Sequence, residues 1–122
     1  MHELAICRAL VEQVEAIAAE QHAVRVVTVV VRVGPLSGVE GSLLERAYPM
    51  ASAGSIAAGA TLLLEPQPVT VRCSACGEES PVAPNRLLCG HCGDWRTQVV
   101  SGDELLLATV ELERDEAGTA VH

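Results

Sequence analysis

Apolar side chains recur at three- and four-residue steps through residues 3 to 21. Leu4, Ile6, Cys7, Leu10, Val11, Val14, Ile17 and Ala18 form the series, with Glu12, Glu15 and Glu20 between them. That period lays one stripe along a helix, so the segment predicts an amphipathic α-helix. Cys7 sits on the stripe and is expected to be a buried, inert thiol. His22 closes the helix, where an imidazole suits the C-terminal carbonyls better than it suits a metal.

Between residues 24 and 33 the pattern changes to a valine-rich run containing Thr28. Such a run predicts a central strand, ended by Gly34-Pro35. A second helix is expected over residues 40 to 53, burying Leu43, Leu44, Ala47 and Met50, with Pro49 kinking it or ending its first part. Strands are predicted at 60–65, from 69 into Cys73, at 97–100 and at 104–113, the last after a turn at Gly102-Asp103. The final nine residues are charged and contain glycine, and predict a frayed tail. The layout is α+β: two helices packed on a three- to four-stranded mixed sheet built from residues 1–68 and 103–122. Residues 69–102 form a module inserted between two strands of that sheet.

The inserted module carries Cys73-Ser-Ala-Cys76 and Cys89-Gly-His-Cys92, twelve residues apart, each pair followed by glycine. Two such pairs predict facing turns around one tetrahedral ion, usually zinc. Gly77 and Gly93 supply the positive φ at which the chain folds back under the sulfurs. Pro, Gly, Asn and Arg between the pairs suit the tip of a ribbon hairpin, whereas a redox CxxC sits between a strand and a helix. Four thiolates leave no open coordination position, so the ion is expected to be structural. His91, inside the second pair, is expected to be exposed, and becomes a replacement ligand if a thiolate is lost.

Composition narrows the function further. Net charge is −8, and the aromatics are Trp95 and Tyr48 alone. A zinc-ribbon module for nucleic acid or a transcription complex is the alternative function, but it needs a basic footprint and stacking platforms that are missing here. A rubredoxin-like iron carrier would need a Pro and aromatic shell, and a hydrolase would need an open metal position or a convergent catalytic set. No apolar run is long enough to span a membrane and no cationic leader opens the chain, so a cytoplasmic protein is expected.

The chain opens Met1-His2-Glu3. A free α-amine, the next amide nitrogen and an imidazole can chelate one divalent ion, and such nitrogen-rich sets favour square-planar Ni(II) or Cu(II). The bland alternative is a solvated histidine in a loose terminus. Against it, the helix begins almost at once.

Met1-His2-Glu3-Leu4 running into a helix is followed by Val31-Arg-Val-Gly34-Pro-Leu-Ser-Gly38-Val39-Glu40, the Cys73/Cys76 and Cys89/Cys92 pairs, and Gly102-Asp103-Glu104-Leu105. In that order the chain resembles the HypA/HybF family of nickel metallochaperones for [NiFe]-hydrogenase maturation, over essentially its whole length. The resemblance implies a carrier, not an enzyme. It implies nickel held by the Met1 amine, the His2 amide and imidazole, and the Glu3 amide, with zinc held by Cys73, Cys76, Cys89 and Cys92. Glu40 is assigned an auxiliary part in the nickel shell, against the plainer reading of a carboxylate at a helix start. The implied partners are a HypB-type GTPase and the hydrogenase large-subunit precursor, with urease served in some members. The chain itself is expected to be a monomer or a weak homodimer. Tyr48-Pro49 departs from the family, which often has Phe in the second helix.

Overall fold

The computed structural model describes residues 2–114 and 118–121. Its elements are α1 (His2–Glu20), β1 (Arg25–Val33), α2 (Gly41–Ser52), β2 (Thr61–Pro66), β3 (Val69–Cys73), β4 (Glu79–Val82), β5 (Thr97–Ser101), β6 (Leu105–Arg114) and β7 (Gly118–Val121). Four strands form one sheet in the order β2-β1-β6-β7, and three form another in the order β4-β3-β5. The first sheet is mixed. Gln67 N donates to Val33 O just past the ends of β2 and β1, so these strands run parallel, as the crossover through α2 requires. Val24 N donates to Glu113 O and Gly34 N to Glu104 O, which makes β1 and β6 antiparallel.

The chain divides into two compact units, one of Met1–Val31, Glu40–Leu64 and Leu107–His122, the other of Arg32–Val39 and Glu65–Leu106. In the first, α1 buries Cys7, Leu10, Val11, Val14 and Ala18. Val26, Val29, Val31, Val110 and Leu112 of the sheet are buried as well. Each such Val or Leu contributes roughly 1.5–3 kcal/mol on leaving water. The Cys7 thiol donates to Leu44 O at 3.3 Å, which ties α1 to α2 and uses the thiol's one donor. Burial and the nearby Glu3 push this thiol up, away from the reactive thiolate.

α2 differs from the pattern reading. It is one helix from Gly41 to Ser52 with Pro49 inside it, so the proline neither ends it nor splits it. Its buried residues are Leu44, Tyr48 and Ser52, at i, i+4 and i+8. Leu43 and Met50, expected inside, are exposed. Tyr48 decides the register, because its ring is buried and its hydroxyl donates to Ala57 O at 2.9 Å. That bond also anchors the loop after the helix.

α1 ends through backbone rather than imidazole. His22 adopts φ 56°, its N–H meets Ala19 O, and Ala23 N meets Ala18 O. The pair is a Schellman closure, with histidine where glycine is usual. The tail also departs from expectation, since Gly118–Val121 forms β7 antiparallel to β6, pairing Leu112 with Ala120. The free edge of a ten-residue strand offers a ladder that a short four-residue segment can complete.

In the second unit β3 is central, and Val69, Val71 and Cys73 are buried. It pairs antiparallel with β4 (Val71 opposite Ser80) and with β5 (Val71 opposite Val99). β4 lies within the stretch that the pattern left as a hairpin tip. Gly34 packs against the turn before β6: a Cβ there would lie 2.2 Å from Gly102 O. Gly102 has φ 105°, and a Cβ on it would meet Val69 Cα at 2.7 Å. Two backbones touch here because neither residue has a side chain.

Candidate metal centres

β3 delivers Cys73 at its end, and the chain turns at once. Ala75 N and Cys76 N both donate to Cys73 Sγ, at 3.3 and 3.4 Å, and Gly77 N donates to Cys73 O at 2.9 Å. The second turn repeats the arrangement. His91 N and Cys92 N donate to Cys89 Sγ at 3.3 Å, and Gly93 N donates to Cys89 O at 2.9 Å. Gly77 and Gly93 have φ 78° and 77°, as the knuckles require.

The four sulfurs lie within 4.8 Å of one another. Cys73 Sγ is 3.6 Å from Cys92 Sγ, and Cys76 Sγ is 3.6 Å from Cys89 Sγ. Zinc–sulfur bonds of about 2.3 Å give a tetrahedron with edges of about 3.8 Å, so the cluster fits zinc without rearrangement. Cys73 and Cys89 are buried, Cys76 and Cys92 exposed. Charge is distributed unevenly among the thiols. The Cys92 and His91 amides hold Cys89 down to about 6, despite burial. The Glu78 backbone favours the Cys76 thiolate, but desolvation and the neighbouring thiols push it up to about 12. A dication among the sulfurs removes that competition, because zinc takes all four as thiolates.

The loop after the second knuckle is clamped by residues that the cysteine pattern did not reveal. Asp94 Oδ1 accepts from Arg96 N at 2.8 Å and Nε at 3.0 Å, and Oδ2 accepts from Nη2 at 2.8 Å. The Arg96 side chain, followed by its amide, holds the Asp94 carboxyl down to about 2. Cys89 N donates to Asp94 O and Ser74 N to Arg96 O, so the clamped loop joins both knuckles. An acid two residues before an arginine, directly after the knuckle glycine, was the available signal. Ser80 Oγ accepts from Gly90 N at 2.9 Å and seats the second knuckle on β4. His91 is exposed, with Nε2 3.2 Å from Glu78 Oε1.

At the other end of the chain, His2 and Glu3 occupy the first turn of α1, His2 exposed and Glu3 half-buried. Met1 lies outside the described residues. Glu40 is the N-cap of α2, with φ −88° and ψ 118°, and its side chain makes no capping hydrogen bond. Its carbonyl accepts from Leu44 N, leaving the exposed carboxylate uninvolved in helix closure.

An α+β fold with a four-thiolate centre on paired knuckles defines a zinc-ribbon-bearing protein, and similarity to known proteins takes this further. The family described as hydrogenase/urease nickel incorporation, metallochaperone, hypA, matches residues 1–112. The hydrogenase maturation factor HypA of Nitrosospira multiformis is 54% identical over 112 residues, covering 92% of this chain and 97% of that protein. Its counterpart in Aquifex aeolicus is 40% identical over 115 residues, 94% and 100% of the two chains. The solution structure of the Ni metallochaperone HypA from Helicobacter pylori has the same fold, with a TM-score of 0.71 at 23% identity over 93% of this chain and 98% of that one. The chain belongs to the HypA family, which is one of metallochaperones and not of enzymes.

Proposed function

We propose that this chain is a nickel carrier for hydrogenase maturation, binding Ni(II) at its amino terminus and handing it to a recipient. The observation that carries the reading is the position of His2 and Glu3 in the first turn of a 19-residue helix whose stripe is buried. Family membership over residues 1–112 supports it. The ligands would be the Met1 amine, the His2 amide and imidazole, and the Glu3 amide, a set that favours square-planar Ni(II). The exposed Glu40 carboxylate is free to act in the outer shell of that ion. An exposed terminal chelate exchanges its ligands one at a time, as a carrier must.

Zinc at Cys73, Cys76, Cys89 and Cys92 is assigned a structural part in residues 69–102. Nickel handling is assigned to residues 1–68 and 103–122. The recipients are the hydrogenase large-subunit precursor and, in keeping with the family's description, urease. A HypB-type GTPase is the working partner, and the cytoplasm the site of action. Among the described residues no helix is long and apolar enough to cross a membrane.

The test is a Ni(II) titration of zinc-loaded, tag-free protein beside His2→Ala, followed by d–d absorption and binding heat. One equivalent with a diamagnetic, square-planar spectrum is expected, absent in His2→Ala. Equal binding by both proteins would refute the site. Because the α-amine ionises near pH 8, the site fills as pH rises and empties as it falls.

A further inference from the structure

β6 is longer than the strand that covers its outer edge. β7 pairs with Glu111, Leu112, Glu113 and Arg114, and its last residue, Val121, lies opposite Glu111. From Leu107 to Val110 that edge faces no strand among the described residues. The backbone direction follows from β1, because Val24 N donates to Glu113 O. Alternate residues of β6 turn their N–H and C=O the other way, so Leu112 and Arg114 address β7, and Val110 presents its pair beyond the end of β7. An edge of the composition Leu107-Ala-Thr-Val110 is a template for another strand.

The cover is also imperfect where it exists. Glu113 is answered by Arg25 and Glu111 by Thr28, both on β1. Arg114 reaches Gln21 through Nη2, but its Nε is buried and meets no acceptor among the described residues. Gly118 lies directly opposite Arg114 and, having no side chain, supplies none. β7 also lies outside residues 1–112, the part of the chain that the family matches.

We propose that the β6 edge receives an extended segment of a partner protein by strand addition, with β7 as a built-in competitor for the same edge. The segment runs antiparallel to β6, from Arg114 back to Leu107. It carries a carboxylate opposite Arg114, where the buried Nε gains a charge-assisted hydrogen bond that Gly118 cannot give. Apolar, β-branched residues stand opposite Leu112 and Val110, which are buried, and extend that face of the sheet. Opposite Glu111 and Glu113 the segment is neutral, since β1 already answers both acids. β7 must leave before such a segment pairs along the full length. The chain therefore takes its partner only in the fraction of molecules whose edge is clear.

The probe is a fluorescein-labelled peptide with aspartate first and threonine and valine alternating after it, titrated into the full, zinc-loaded chain. Ala120→Pro removes the N–H that β7 offers to Leu112. It should tighten peptide binding about tenfold over wild type, by raising the fraction with a clear edge. Removing residues 118–122 should act in the same way, which guards against a misfolded variant. Bound peptide should protect the Val110 amide from exchange. Replacing its aspartate by alanine should weaken binding to Ala120→Pro, and adding Arg114→Leu should abolish that difference. Equal binding by wild type and both opened variants would overturn the proposal. So would a peptide held with no protection at Val110, or an opened edge that takes only a second copy of the chain.

Discussion

Asp94 does more for the zinc ribbon than its place outside the ligand set suggests. Its carboxylate closes a small ring with Arg96, and both residues bond backbone at the two knuckles. Asp94→Asn should therefore make unfolding of the zinc-loaded protein easier in urea. Because the folded carboxyl titrates at about 2, below its ordinary 3.8, its contribution is complete above that ordinary value. The gap between wild type and variant should stay flat from about pH 8 to about pH 5, and would close only as pH falls toward the folded value. A gap that narrows between pH 8 and pH 5 would point to another group. At this scale the cysteines were legible, since two CxxC pairs followed by glycine leave few geometries open. Asp94 and Arg96 were not, because a two-residue spacing means nothing until the loop's conformation is known. His22 shows the converse: the sequence places it at the helix end, but only φ reveals that its amide, not its ring, does the closing.

Among the elements, α1, β1, β3 and β5 could be read directly from their apolar patterns, whereas β4 could not, because its Glu-Ser-Pro-Val stretch becomes a strand by pairing with β3. Nor could α2. Leu43, Leu44, Ala47, Tyr48 and Met50 offer two adjoining apolar stripes, and a hydrogen bond from Tyr48 to Ala57, nine residues away, chooses between them. Such a contact is invisible to periodicity. β7 was missed for a similar reason, since what makes it a strand is the edge of β6 and not its own composition. Pro49 remains the costly residue in α2, lacking the N–H that would reach back to Glu45. A proline in a helix interior is worth about 3 kcal/mol less than alanine, offset by about 1 kcal/mol from the stiffer unfolded chain. Pro49→Ala should thus raise stability by about 2 kcal/mol, measured by urea unfolding followed at 222 nm. No gain would mean that the neighbouring turns have already absorbed the loss.

For the whole molecule, the two units draw on different sources of stability. The first buries two helical faces and a run of valines, while the second buries little beyond Val69, Val71 and two of its own ligands. Metal binding in such modules supplies on the order of 10 kcal/mol. Stripping zinc with a chelator should therefore abolish amide-exchange protection in β3, β4 and β5 and leave α1 protected. Loss of protection in α1 at the same rate would show the units to be one cooperative system. Restoring zinc, but not magnesium, should restore the three strands, since thiolates select the softer ion.

The scarcity of aromatic residues has a practical side. The single indole, Trp95, is 75% exposed on the clamped loop of the second unit, and the single phenol, Tyr48, is buried in the first. With no phenylalanine in the chain, each unit carries one chromophore of its own. Excitation at the red edge addresses the ribbon alone, and the phenol's emission, at shorter wavelength than the indole's, answers for the helical pair. The protein thus comes already labelled for watching its two halves separately, with no dye attached.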